Sequence, residues 1–141
     1  LPILFSANKG GSFGELKKVA SGGELSRIML AVKKVLSENT KLPTIIFDEI
    51  DTGVSGEVSN KIAAIMQQMS MHMQVISITH LPQIAAKGNN HYKVYKEEIN
   101  SVTTTNLKQL TADERIVEIA EMLSGKDISE TAITHAKELL N

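Results

Sequence analysis

The chain of 141 residues has no cysteine and no tryptophan, and only 4% of it is aromatic. Without a thiol there can be no disulfide framework and no thiolate metal site, a composition that suits a reducing compartment. No apolar run approaches the roughly 20 residues a membrane-spanning helix needs, so no membrane partner is expected. Neither sign of charge dominates: 15 Lys and Arg against 16 Asp and Glu leave a formal net charge of −1. That balance gives no chain-wide footprint for nucleic acid and leaves only a local basic patch to hold it. The first residue is Leu1 rather than Met, so the chain is expected to be a processed or excised piece. Its length suits one domain with a moderate core.

What is present is hydrophobic periodicity. LPILFS (1–6) reads as the end of a strand and NKGGSFGE (8–15) as a glycine-rich loop. From Gly22 to about Ser37, Leu25, Ile28, Met29, Val32, Val35 and Leu36 recur at helical spacing, with Lys33 and Lys34 on the other face. Thr44 to Phe47 is a continuous apolar run, the pattern of a strand buried on both faces. Val58, Ile62, Ile65, Met66 and Met69 mark a second helix, and QVISIT (74–79) a second buried strand. Strand, helix and strand of these lengths predict a βαβ unit with parallel neighbours. HYKVYKEE (91–98) and VTTTNLKQL (102–110) alternate about a turn at Asn100 and predict an antiparallel hairpin. Two helices close the chain, one with a Thr111–Glu114 capping box and a Gly125 stop, the other from about Ser129 to Leu140. The fold class is therefore α/β with mixed strand directions.

Chemistry belongs beyond the carboxyl ends of parallel strands. Asp48-Glu49 ends one predicted strand, with Asp51 close behind, and Thr79-His80 ends its expected neighbour. An apolar strand delivering two consecutive carboxylates has the form of a Walker B element: the first holds Mg²⁺, the second directs or deprotonates an attacking water. The bland alternative is that these carboxylates are solvated residues capping the next helix. His72, His91 and His135 lack metal-ligand spacing and read as structural, and Met66, Met69, Met71 and Met73 read as core filling. At the other end of the chain, VASGGELSRIML (19–30) opens a helix with Ser21 and, three residues on, Glu24, a capping box. Gly22 and Gly23 add nothing to capping, but they would let an anion reach the unpaired N–H groups of a helix tip. Neither glycine-rich stretch fits GxxxxGK[ST], so the chain has no Walker A loop.

SGGE (21–24), IIFDEID (45–51) and ISITH (76–80), in this order, resemble the signature motif, Walker B strand and switch-histidine strand of ATP-binding-cassette ATPases of the chromosome-maintenance type. VASGGELSRIMLAVK (19–33), PTIIFDEIDTGVSGEV (43–58), QVISITHLPQIAAKG (74–88) and AEMLSGKDISETAITHAKELL (120–140) are similar to the RecN family of bacterial double-strand-break repair ATPases. The resemblance covers nearly the whole chain. It implies a P-loop-NTPase-like fold in which residues 1–141 form the C-terminal lobe of a split head. Walker A lies on the N-terminal half of the same head, beyond a long coiled coil.

By that resemblance Asp48 binds Mg²⁺, Glu49 acts on the attacking water, and His80 senses the γ-phosphate of ATP. Ser21, Gly22, Gly23 and Glu24 meet the ATP held by a second head in a homodimer. DNA is engaged through the full-length protein, and the setting is the bacterial cytoplasm and nucleoid; from the residues alone, Lys17, Lys18, Arg27, Lys33 and Lys34 are candidate DNA contacts, which a solvated helix face explains equally well. Ser55 stands where cassette ATPases usually carry the D-loop aspartate, a place that Asp51 could fill. Two other functions fit the residues: a metal-dependent phosphoesterase built on Asp48, Glu49 and Asp51, and a non-catalytic dimerisation module using the hairpin and terminal helices.

Overall fold

Strand and helix signals resolve into two units, Leu1–Thr79 and His80–Asn141. The computed structural model describes residues 3–6, 9–16, 20–39, 42–54 and 56–141. In the first unit the glycine-rich stretch turns back on itself, so that β1 (Leu4–Phe5) pairs antiparallel with β2 (Gly14–Glu15). Helix α1 (Gly22–Asn39) follows, then β3 (Thr44–Asp48), α2 (Gly56–Ser70) and β4 (Gln74–Ile78). β3 and β4 pair in parallel from Thr44↔Gln74 to Asp48↔Ile78, as the βαβ reading predicts.

Alternation decides the packing of β3. Ile45 and Phe47 are buried, and so are Ile62, Ala63, Met66 and Met69 of α2. The opposite face is open: Ile46 is 58% exposed and Ile78 52%. The expectation of strands buried on both faces is therefore corrected, because within this unit the sheet has an apolar layer on one side only. The stripe expected on α1 is corrected for the same reason. Leu30 is buried, whereas Leu25, Met29, Val32, Val35 and Leu36 are exposed. Lys33, placed by periodicity on the polar face, lies with its Nζ 5.6 Å from the centre of the Phe47 ring, a cation–π distance. Met66, Met69 and Met73 fill the core, but Met71 is 77% exposed in the turn after α2, where its N–H reaches the Gln68 carbonyl.

The second unit opens with α3 (Pro82–Lys87), a helix that the periodicity did not predict, started by the proline at its first position. β5 (Tyr92–Ile99) and β6 (Val102–Gln109) form the expected hairpin. Its two turn residues, Asn100 and Ser101, have φ of 52° and 63°, the left-handed pair that a tight hairpin turn demands. α4 (Ala112–Ser124) begins at the Thr111–Glu114 capping box and stops at Gly125, with φ of 80°; α5 (Glu130–Leu140) is capped by Ser129. Ile119, Ala120 and Ala136 are completely buried and Ala132 nearly so, so small side chains let the two helices approach closely.

Charge ties the hairpin to α4. Lys93 pairs with Glu118 and Glu121, and Lys108 with Glu114, each lysine being held more firmly protonated than usual chiefly by its glutamate hydrogen bond. The Arg115 guanidinium donates to the carbonyls of Ala85 (3.2 Å), Ala86 (2.9 Å) and Gly88, closing the carboxyl end of α3. Burial, reinforced by Arg115, holds the His91 imidazole below its ordinary pKa.

Ala136 leaves no room for a larger side chain. Ala136→Leu is expected to cost about 1–3 kcal/mol by overpacking, measured as a lower midpoint in thermal unfolding, whereas Lys137→Ala on the same helix should leave the midpoint nearly unchanged.

Candidate functional site

The site-bearing segment of the first unit is the turn that follows β3. Asp48 is the last residue of the strand, in register with Ile78, and its side chain is exposed. The chain then bends: the Glu49 N–H donates to the Ile78 carbonyl at 3.0 Å, and Glu49 takes the left-handed backbone, φ 47°. Few non-glycine residues sit there unless their surroundings hold them. Here the Glu49 carbonyl accepts from both the N–H and the hydroxyl of Thr52, at 3.4 and 3.0 Å, and the Val54 N–H closes on the Asp51 carbonyl. Backbone bonding thus fixes Glu49 while its carboxylate stays exposed to solvent.

Asp51 does the opposite. It is 1% exposed, and the Thr79 hydroxyl, one residue past β4, donates to its Oδ2. A carboxylate used in this way is not a third ligand beside Asp48 and Glu49. Among the described residues no group of three His, Asp or Glu side chains could hold a metal ion. The phosphoesterase reading, which needs such a cluster, is not favoured. A single exposed carboxylate does fit Mg²⁺ of the kind that keeps several waters and completes its shell with substrate phosphates. Asp48, exposed at the strand end, could serve as that carboxylate.

The tip of α1 has the predicted capping box. The Ser21 N–H donates to Glu24 Oε2 at 2.7 Å, and the Glu24 N–H donates to Ser21 Oγ at 3.3 Å. These bonds, the backbone one first, hold the Glu24 carboxyl below its ordinary value of 4.5. Gly23 has a neighbour that sequence alone did not supply. A Cβ there would lie 3.1 Å from Arg27 Nη1 and 3.2 Å from the Thr52 carbonyl, tighter than a side chain normally tolerates. The helix tip and the turn after β3 therefore lie side by side, because a helix and a following strand joined by a short link run back along each other. Gly22 is the first residue of the helix. His80 is exposed and follows Thr79 directly, as the first residue of the second unit.

Of the basic candidates, Lys17 and Lys18 lie outside the described residues, as does Ser55. Arg27 and Lys33 are engaged locally, beside Gly23 and above Phe47. Sequence reasoning set Thr79 beside His80 at a strand end without its partner Asp51, and it did not single out Thr52. A hydroxyl residue at a strand end beside an acidic turn was the only signal available.

No protein-family model matches the chain. Its fold is similar to an SMC ATPase studied for ATP-driven dimerization and DNA-stimulated activation, with a TM-score of 0.59 and 19% identity over 82% of this chain and 68% of the other. It is also similar to the Smc head domain with a coiled coil and joint from Pyrococcus yayanosii, with a TM-score of 0.65 and 20% identity over 82% of this chain and 21% of the other. The fold is thus that of an SMC-type, ABC-like ATPase head. Sequence narrows the class. The DNA repair protein RecN of Bacillus subtilis is 47% identical over 138 residues, 98% of this chain and 24% of that protein. RecN of Deinococcus radiodurans is 48% identical over 98% of this chain and 24% of the relative, and RecN of Rickettsia conorii 46% over 99% and 26%. The chain belongs to the RecN family, and it spans about a quarter of the length of the curated relatives it matches.

The capping box makes a pH-dependent prediction. Because the folded Glu24 titrates below 4.5, its contribution is present above that value and is lost as pH falls through the lower folded one. A carbon-detected NMR titration should place the Glu24 midpoint below 4.5. Ser21→Ala, which keeps the residue-21 N–H, should return it only part of the way.

Proposed function

We propose that this chain is the C-terminal lobe of a split ATPase head from a RecN-like DNA-repair protein. In this reading it hydrolyses ATP only when joined by the N-terminal, Walker A-bearing half and by a second head. The observation that carries it is the exposed Asp48–Glu49 pair at the carboxyl end of a parallel strand pair, with the Glu49 backbone held by Ile78 and Thr52. The identity to RecN across nearly the whole chain supports the assignment.

The roles divide by environment. Asp48 holds Mg²⁺. The ion, when bound, neutralises charge on the phosphate oxygens. Glu49 orients the attacking water and accepts its proton as the bond between the γ-phosphorus and the leaving oxygen breaks. His80 contacts the γ-phosphate. Ser21, Gly22, Gly23 and Glu24 present the helix tip to ATP carried by the partner head, so ATP joins two heads and hydrolysis parts them. Most of the rate gain in such a site comes from positioning and preorganised charge. DNA is the expected macromolecular substrate of the whole protein and the bacterial nucleoid its place of work. The described residues include no helix long and apolar enough to cross a membrane.

The test is Glu49→Gln in the full-length protein. ATP binding should be kept and turnover should fall about 100-fold or more, the usual range for loss of a general base. Turnover near wild type would remove Glu49 from the role. Mixing this chain with its N-terminal half should restore DNA-stimulated hydrolysis that neither piece shows alone.

A further inference from the structure

We infer that Asp51 is a positioning residue, acting through Thr79 to hold the turn that carries Glu49. The inference rests on the ATPase reading above.

Asp51 lies only two residues beyond Glu49, yet it is 1% exposed, while Glu49 is open to solvent. A carboxylate taken from water is costly unless hydrogen bonds replace its hydration. The Thr79 hydroxyl supplies one such bond, to Oδ2. The turn is thereby tied to the end of β4 at two successive residues: the Glu49 N–H to the Ile78 carbonyl, and the Asp51 carboxylate to the Thr79 side chain. The first tie holds the start of the turn and the second its far side. With the second, the segment from 49 to 51 is pinned at both ends, and the left-handed backbone of Glu49 (φ 47°) is over-determined.

The internal bonds of the turn carry that restraint outward. Thr52 donates twice to the Glu49 carbonyl, and Val54 to that of Asp51, so displacement of Asp51 moves the residues on which Glu49 leans. The Thr52 carbonyl also sits 3.2 Å from the place a Cβ would take on Gly23, so the same turn backs the tip of α1. Thr79, for its part, is the residue from which His80 follows. One buried carboxylate therefore fixes the turn bearing the water-directing acid to the strand end that precedes the histidine. Its contribution is geometric: it acts through the Thr79 hydroxyl and the backbone of the turn.

The test compares Thr79→Val, which keeps shape and removes the donor, with Thr79→Ser, which restores it, in the full-length protein, with Glu49→Gln as reference. Thr79→Val should lower kcat at least tenfold with KM for ATP within twofold, Thr79→Ser should recover to within about threefold, and Asp51→Asn combined with Thr79→Val should be no worse than the poorer single variant. A kcat for folded Thr79→Val within twofold of wild type, or no recovery with Thr79→Ser, overturns the inference. If Thr79→Val does not fold, Thr79→Cys, a weaker donor of similar size, takes its place with the same outcomes. Hydrogen exchange of peptides spanning 48–54 separates this inference from the ATPase reading. Exchange at least fivefold faster in Thr79→Val supports the tie even if Glu49→Gln leaves turnover intact, and unchanged exchange rejects the tie whatever the activity.

Discussion

The bond from the Glu49 N–H to the Ile78 carbonyl is where the order of the first unit is decided. It extends the parallel ladder by one step and then ends it. With Asp48 in register with Ile78, the next residue cannot continue as strand, since its carbonyl is claimed by Thr52. The result separates two carboxylates that sequence places side by side by type: Glu49 remains in water and Asp51 goes inside. An acid left in water and an acid bonded to a buried side-chain hydroxyl have opposite solvation, and the left-handed residue at position 49 lies at the reversal.

The same unit carries an imbalance. On β3, Ile45 and Phe47 are buried, while Ile46, the β4 residues Ile76 and Ile78, and the α1 residues Met29, Val32, Val35 and Leu36 are exposed. Between α1 and β3 runs a groove lined by Leu25, Met29, Leu30, Lys33, Ile46 and Asp48. A parallel sheet with one bare apolar face is rare, because parallel strands are normally covered on both sides. The chain spans about a quarter of its RecN relatives. The bare face is what the proposed split head requires, with the N-terminal half as its second layer.

The periodic elements were legible because each had a local cause. The βαβ unit, the hairpin and both capping boxes follow from spacing and side-chain chemistry within a few residues, and the structure has them where expected. What sequence did not show was sidedness. The run IIF (45–47) is apolar throughout, so alternation could not reveal which of Ile45 and Ile46 was buried. Met71 was misplaced because Met66 and Met69 share a helix face, whereas Met71 follows the helix end and obeys no period. The helix α3 was missed because six residues offer too short a window, although Pro82 marks its start. In the site, residue types were readable and partners were not: the Asp51–Thr79 contact spans 28 positions.

Gly23 shows how a functional motif and a packing requirement can ask for the same residue. Its lack of a side chain admits Arg27 and the Thr52 carbonyl, so part of its explanation lies within the unit. The capping box raises a further constraint, because the Ser21 hydroxyl and the Glu24 N–H are already bonded to each other. A phosphate arriving at this tip must displace that bond and would face the Glu24 carboxylate, which favours its charged form here. The closed box satisfies two N–H groups at the helix end. In the proposed reading, an anion bound at this tip would have to offset the loss of the bond between the Glu24 N–H and the Ser21 hydroxyl.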